Sequence, residues 1–339
     1  MKVSTAKLPD YLSSVMMAGI TPMVKGPPAI GKSDIIRQIA KKYNLFVIDL
    51  RLSQCDITDL NGFPALNEAR TKSSFVPMDT FPMEDDDIPT GYDGWLLFLD
   101  EMNSANMSVQ AAAFKLVLDR AVGMRKLHKK VAIICAGNRD MDKAIVNRLS
   151  TPMQSRLAHF ELTVDHKGWL LWAAENDIDH RIMSFISWKP EMLYNFKPDH
   201  NKDTYASPRT WEFASRLIKG ITELKNEHTP LIASVIDEAA SREFRSYVKV
   251  YTSLLTIKQI IADPSGVTMP TEPATQYAIS GKIGAEMDQK NVDPLMTFLG
   301  RMGIEFQIMS LQRALKRDSA LMGHPVIKSW IQKYSQELF

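Results

Sequence analysis

Through the first half of the chain, short apolar runs alternate with stretches whose apolar residues recur every three or four positions. The runs are 21–25, 45–50, 95–99, 131–136 and 157–162. Four of the five are nearly continuous rather than alternating, which predicts strands buried on both faces of a parallel sheet. Helical spacing between them, as at Ile36, Ile39, Ala40 and Tyr43, makes the pattern that of an α/β fold. After about Val164 only helical patterns remain, at 168–175, 211–221, 231–251, 293–314 and 326–338, with Pro, Asn and Gly punctuation at 189–207 and 263–273. The change of period predicts two domains, an α/β domain over 1–164 and a helical region over 165–339.

Between the first run and the first helical stretch stands Gly26-Pro27-Pro28-Ala29-Ile30-Gly31-Lys32-Ser33, which fits G-x-x-x-x-G-K-[ST] at every fixed position. Backbone N–H groups of such a loop curl around phosphates, the Lys32 ammonium meets the terminal phosphates, and the Ser33 hydroxyl offers an oxygen to Mg²⁺. A helix beginning at Ser33 adds its N-terminus to the same anion site. The reading is a site for a nucleoside triphosphate with Mg²⁺; ATP is the expected nucleotide, and nothing in the loop excludes GTP.

The third run, Trp95-Leu96-Leu97-Phe98-Leu99, ends in Asp100-Glu101. Ligands of open α/β sheets sit at the C-terminal ends of the strands, so both carboxylates face the expected phosphates. Asp100 is the candidate Mg²⁺ ligand, and Glu101 is the candidate for orienting the attacking water. The fourth run ends in Gly137-Asn138-Arg139. Asn138 is either a turn residue, as Asn after a strand usually is, or an amide reaching the attacking water or the terminal phosphate.

At 339 residues with 45% hydrophobic content the chain is long enough for two cores. Forty-one Lys and Arg against 39 Asp and Glu leave a formal charge of +2, which argues against a surface built to wrap nucleic acid. Cys55 and Cys135 are the only cysteines, too few for a disulfide framework or a thiolate zinc site, and a reducing cytoplasm fits. The Met and His residues show no metal-ligand spacing, and the tryptophans of the second half fall on core spacing. No signal peptide or membrane span is expected.

Phosphate loop, Leu-Asp-Glu strand and strand-ending Asn, in this order, resemble the AAA+ ATPase superfamily. More narrowly, Ile48-Asp49-Leu50-Arg51-Leu52-Ser53-Gln54, Asp59-Leu60-Asn61-Gly62, Leu99-Asp100-Glu101-Met102-Asn103 and Ala136-Gly137-Asn138-Arg139 resemble the MoxR branch. The resemblance implies an AAA+ core with a five-stranded parallel sheet between helices, followed by an all-α lid and a C-terminal helical region. It also implies Mg²⁺-dependent ATP hydrolysis in a homo-oligomeric ring, typically a hexamer, that remodels a protein partner, often one carrying a von Willebrand factor A domain. By the same carry-over Gly26, Pro27, Pro28, Ala29, Ile30, Gly31, Lys32 and Ser33 hold the nucleotide, Ser33 and Asp100 the metal, and Glu101 and Asn138 serve hydrolysis. Arg156 matches the arginine finger offered to the neighbouring subunit, with Arg148 as its competitor. Arg209, in the first turn of a helix capped by Ser207 and Pro208, matches the second sensor; a cation there opposes the helix dipole, which a nearby anion would offset. Where the superfamily commonly has Gly, Ala29 stands, and an ordinary negative-φ backbone is expected at that residue.

Three segments bear on the partner. Arg125-Lys126-Leu127-His128-Lys129-Lys130 is either a grip for phosphates, as in a nucleic-acid motor or loader, or a lysine-protected strand edge lacking aromatics for base stacking. Gly62-Phe63-Pro64 either presents an aromatic to a substrate or anchors its own loop. The acidic run Glu84 to Asp87 reads as a solvated loop. A nucleotide-dependent assembly switch without motor activity is the remaining alternative.

Overall fold

The structure, a computed structural model, describes all residues except 140, 141, 143–146, 200, 201, 254, 255, 272 and 339, and leaves aside the side chains of 250–253, 273, 274 and 335–338. The chain forms two compact units, Met1–Asp165 with Lys197–His200, and His166–Phe196 with Asn201–Phe339.

The first unit is built on a parallel sheet of β1 (Lys2–Val3), β2 (Thr21–Lys25), β3 (Leu45–Arg51), β6 (Gly94–Asp100), β9 (Val131–Gly137) and β10 (Leu157–Leu162), in the order β1-β10-β2-β9-β6-β3. Two antiparallel hairpins lie outside it: β4 (Phe63–Leu66) with β5 (Ser73–Val76), and β7 (Ala121–Val122) with β8 (Arg125–Lys126). The sheet has six strands where five are expected. The extra strand, β1, pairs with β10 through two residues, too few to carry a periodicity, and Val3 is buried there.

Continuous apolar runs are explained by two faces. One face of the central strands, with Leu97, Leu99, Ile133 and Cys135, packs in one core with Val109, Ala113 and Leu116 of α4 (Met107–Asp119). The other face, Leu96, Phe98, Ile134 and Ala136, packs on Ile36 and Ala40 of α2 (Lys32–Lys42). Each such fully buried aliphatic side chain contributes on the order of 1.5–3 kcal/mol, which is why alternation disappears from these strands. Burial also pushes the Cys135 thiol pKa upward, so this sulfur behaves as a small apolar group.

Register brings the functional ends together. Lys25 lies beside Gly137 in the β2–β9 pair, and Leu99 lies beside Cys135 in the β6–β9 pair. The residues following all three strands therefore emerge at one sheet edge.

The second unit is helical among the described residues: α6 (His166–Glu175), α7 (His180–Trp188), α8 (Pro208–Ile218), α9 (His228–Ile236), α10 (Glu238–Ser253), α11 (Ile257–Ala262), α12 (Pro273–Glu286), α13 (Val292–Leu299), α14 (Ile304–Arg317) and α15 (Pro325–Leu338). Its cores centre on Phe185, Trp211 and Phe244, and on Phe298, Leu299 and Ile327. Buried polar groups are paired across helices. The Ser184 hydroxyl lies 2.6 Å from the Tyr247 hydroxyl and donates to the Tyr277 carbonyl, tying α7, α10 and α12. Arg181 grips the Asp179 carboxylate and donates to the carbonyls of Ile218 and Ile221 at the end of α8. No described helix is long and apolar enough to cross a membrane.

Candidate functional site

The loop after β2 turns into α2 at Gly31, which is left-handed at φ 90 and offers no side chain to cap the helix. The first N–H groups of α2 thus face the loop, together with the positive end of the helix dipole. Ala29 also adopts a left-handed backbone, φ 60, contrary to the ordinary conformation expected for a residue with a Cβ. The cost is on the order of 1–2 kcal/mol. The next residue, Ile30, is buried, and a Cβ on Gly26 would come within 2.9 Å of its Cδ1. Left-handed turns at Ala29 and Gly31 flank this residue and make the concave, N–H-lined curve that anions occupy.

Side chains from three segments converge on this loop. The Lys32 ammonium donates to the carbonyls of Gly26 and Pro27, both at 2.9 Å, and to Asn138 Oδ1 at 3.3 Å. Ser33 Oγ donates to Asp100 Oδ2 at 3.3 Å, so hydroxyl and carboxylate stand as neighbours, the pairing a magnesium ion bound to a triphosphate needs. Asp100 Oδ1 accepts the Glu101 N–H at 2.8 Å, which fixes the carboxylate against the turn that follows β6. Glu101 is left-handed, φ 55 and ψ 31, an uncommon conformation for a non-glycine residue and one found most often where function fixes the backbone. These donors fit a magnesium-bound triphosphate: a cation, a hydroxyl beside a carboxylate, and a helix N-terminus. No cluster of His, Cys, Asp and Glu suited to a metal by itself occurs among the described residues, so any ion here would need ligands beyond the protein's own.

Two contacts were not foreseen from the sequence. The Ser53 hydroxyl donates to the Glu101 carboxylate, linking the candidate water-orienting acid to the short helical turn Leu52–Gln54 that follows β3. Asn103, 1% exposed, clasps the backbone of Asn138: its Nδ2 donates to the Asn138 carbonyl at 2.8 Å and its Oδ1 accepts the Asn138 N–H at 3.1 Å. That clasp needs Gly137, because a Cβ there would lie 2.2 Å from Asn103 Oδ1. Both residues sit in the short motifs already noted, yet only the fold shows what their side chains touch.

The arginines are placed differently. Arg156 is exposed just before β10, donates to the Pro152 carbonyl at 3.1 Å and lies 5.7 Å over the Phe114 ring. No hydrogen bond or ion pair joins it, or the exposed Arg148, to the phosphate loop among the described residues. Arg209 is exposed in the first turn of α8, which Ser207 caps by accepting the Thr210 N–H at 3.2 Å, with Pro208 at the first position. Neighbouring arginines already have partners: Arg139 binds Asp142 bidentately.

Fold and site together define a phosphate-loop α/β unit. No family model matches the chain, and no curated protein matches it. Among solved structures, a RuvB mutant from Thermotoga maritima is similar at 16% identity and TM-score 0.40 over 88% of each chain. The same organism's RuvB Holliday junction branch migration motor is similar at 15% identity and TM-score 0.37, over 88% of this chain and 86% of that one. An ATPase of unassigned role from Cytophaga hutchinsonii is similar at 11% identity and TM-score 0.36, over 98% of this chain and 89% of that one. At such values the functional reading rests on the residues of this chain.

Proposed function

We propose that this protein is a Mg²⁺-dependent ATPase of the AAA+ superfamily, of MoxR type, that works as a homo-oligomeric ring and remodels a protein partner. The observation that carries the reading is the hydrogen-bonded convergence of Lys32, Ser33, Asp100 and Asn138 beneath a loop with an open helix N-terminus. In this reading Gly26 to Ser33 hold the phosphates, Ser33 and Asp100 hold the ion, Glu101 orients water, and Asn138 senses the terminal phosphate. The bound Mg²⁺ would neutralise charge on the phosphates during transfer. The first unit serves as nucleotide-binding domain and the helical unit as lid, with Arg209 as its candidate second sensor. An exposed Arg156 suits a group offered to a neighbouring subunit; Arg148 is the alternative.

Glu101→Gln tests the chemistry directly. The variant is expected to bind ATP as the parent does and to lose phosphate release by roughly a hundredfold or more; turnover at the parental rate removes Glu101 from its role. Mixing Arg156→Ala with Lys32→Ala protein is expected to restore part of the activity, because a shared site can then combine an intact loop with an intact finger. No recovery in the mixture counts against Arg156.

A protein partner is favoured over nucleic acid because two cations of the basic segment are already engaged within the chain and no aromatic is interleaved for base stacking. Arg125 pairs with the Asp85 carboxylate, and Lys126 donates to the Asp119 carbonyl at 2.9 Å. A partner with a von Willebrand factor A domain is the form the sequence resemblance suggests; capture with Glu101→Gln held in ATP identifies it.

A further inference from the structure

Beyond the nucleotide site, the sheet has one long open edge. β3 pairs with β6 over all seven of its residues and ends the sheet, so among the described residues it hydrogen-bonds a strand on one side only. Natural sheets usually blunt such an edge with Pro, Lys or a bulge. Leu45-Phe46-Val47-Ile48-Asp49-Leu50-Arg51 has neither Pro nor Lys, and its pairing is regular throughout.

Beside this strand runs a groove of about 650 Å³, lined by 46–49 of β3 and by the segment 77–83 with 86, 87 and 89. Ile48, Phe81 and Trp95 are buried at its base, whereas Phe46 is 41% exposed. An extended segment of four residues is about 13 Å long, and a groove of this volume accommodates its side chains.

Charge selects the occupant. The lining holds the carboxylates of Asp49, Asp79, Asp86 and Asp87 against a single guanidinium, that of Arg125. Asp49 is matched by Arg37 at 3.1 Å, Arg125 is matched by Asp85, and Asp86 accepts the Met83 N–H at 2.6 Å. Asp79 and Asp87 are exposed and form no ion pair among the described residues. The acidic run that reads as a mere solvated loop thus forms one wall of a slot whose other wall is an unpaired strand.

We propose that this slot docks an extended, lysine- or arginine-bearing segment of a protein partner as a further strand beside β3. Main-chain bonds to β3 supply affinity that is indifferent to sequence, and the carboxylate rim supplies the preference for cations. The inference does not depend on the nucleotide reading, since no residue of the phosphate loop lines the slot.

Labelled peptides of roughly six residues, in which lysine or glutamate alternates with valine, test it by fluorescence anisotropy against the full chain. The lysine–valine peptide is expected to bind saturably and to weaken as salt is raised, while the glutamate–valine peptide does not bind. N-methylation of alternate peptide nitrogens is expected to weaken binding at least about tenfold, because it removes the strand-pairing donors. Asp79→Asn with Asp87→Asn is expected to weaken it about tenfold, with an unchanged melting temperature and unchanged ATP binding. Failure of the lysine–valine peptide to bind overturns the proposal. So does equal affinity for both charge types, or indifference to N-methylation. The N-methylation arm uses unaltered protein, so it stands even if the double variant is poorly folded.

Discussion

At the residue scale, the site is held by contacts with almost no slack, and Gly137 is the sharpest case. Its Cα hydrogen points at Asn103, whose amide holds both backbone groups of Asn138. Gly137→Ala is expected to displace Asn103, cost on the order of 1–3 kcal/mol in stability and lower ATP turnover more than ATP binding. Urea melts and turnover with binding measured on one preparation decide it, and parental values in both would show that the clasp yields without consequence. The phosphate loop and its acids were legible in the sequence because each chemistry demands a narrow set of residue types at fixed spacing. Ser53 and Asn103 were not, since a lone hydroxyl or amide has many uses and only tertiary neighbours choose among them. Ala29 shows the opposite limit: residue type argues for negative φ, yet the loop takes φ 60 there.

At the element scale, the five long strands fall where the apolar runs place them, each ending within one residue of the expected bounds. Continuous burial on two faces gives a signal that no surface element imitates. Hairpins and helix breaks were harder to read. The 63–76 hairpin is exposed on both strands and so has no core-facing stripe to announce it. The helical pattern over 231–251 is in fact two helices, because Asp237 takes φ 97 and turns its carboxylate to accept the N–H groups of Ala239 and Ala240. Likewise the pattern over 293–314 breaks between Leu299 and Ile304, where Gly300 and Gly303 stand. Caps, by contrast, could be read directly: Ser207 and Thr210 form a capping box at α8. Ser207→Ala is expected to cost about 1 kcal/mol, measurable as a lower urea midpoint with the denaturant slope unchanged. A change within error would mean that Pro208 and the buried Trp211 alone define that helix start.

At the scale of the whole molecule, the helical unit carries a group that makes stability depend on pH. In the helical unit, burial pulls the His180 pKa down to about 4, helped by the Arg313 charge and that of Arg181, while Asp179 pulls the other way. The folded protein therefore resists taking a proton that the unfolded chain accepts near 6.5. Stability from this group is full above that value and is lost progressively as pH falls toward 4. Asp179, held below its ordinary value by Arg181 despite burial, acts only at still lower pH. His180→Asn is expected to flatten the stability profile between pH 6.5 and 4, read by circular dichroism melts across that window. A profile as steep as the parent's would assign the acid sensitivity elsewhere.

One consequence remains in the curve at Ala29. A glycine there would sample many shapes, whereas an alanine has fewer competing ones. The expense of bending is met during folding, so an arriving ligand meets a cup already formed and gives up less entropy in filling it. Tighter holding of whatever fits it is what such a stiff receptacle favours.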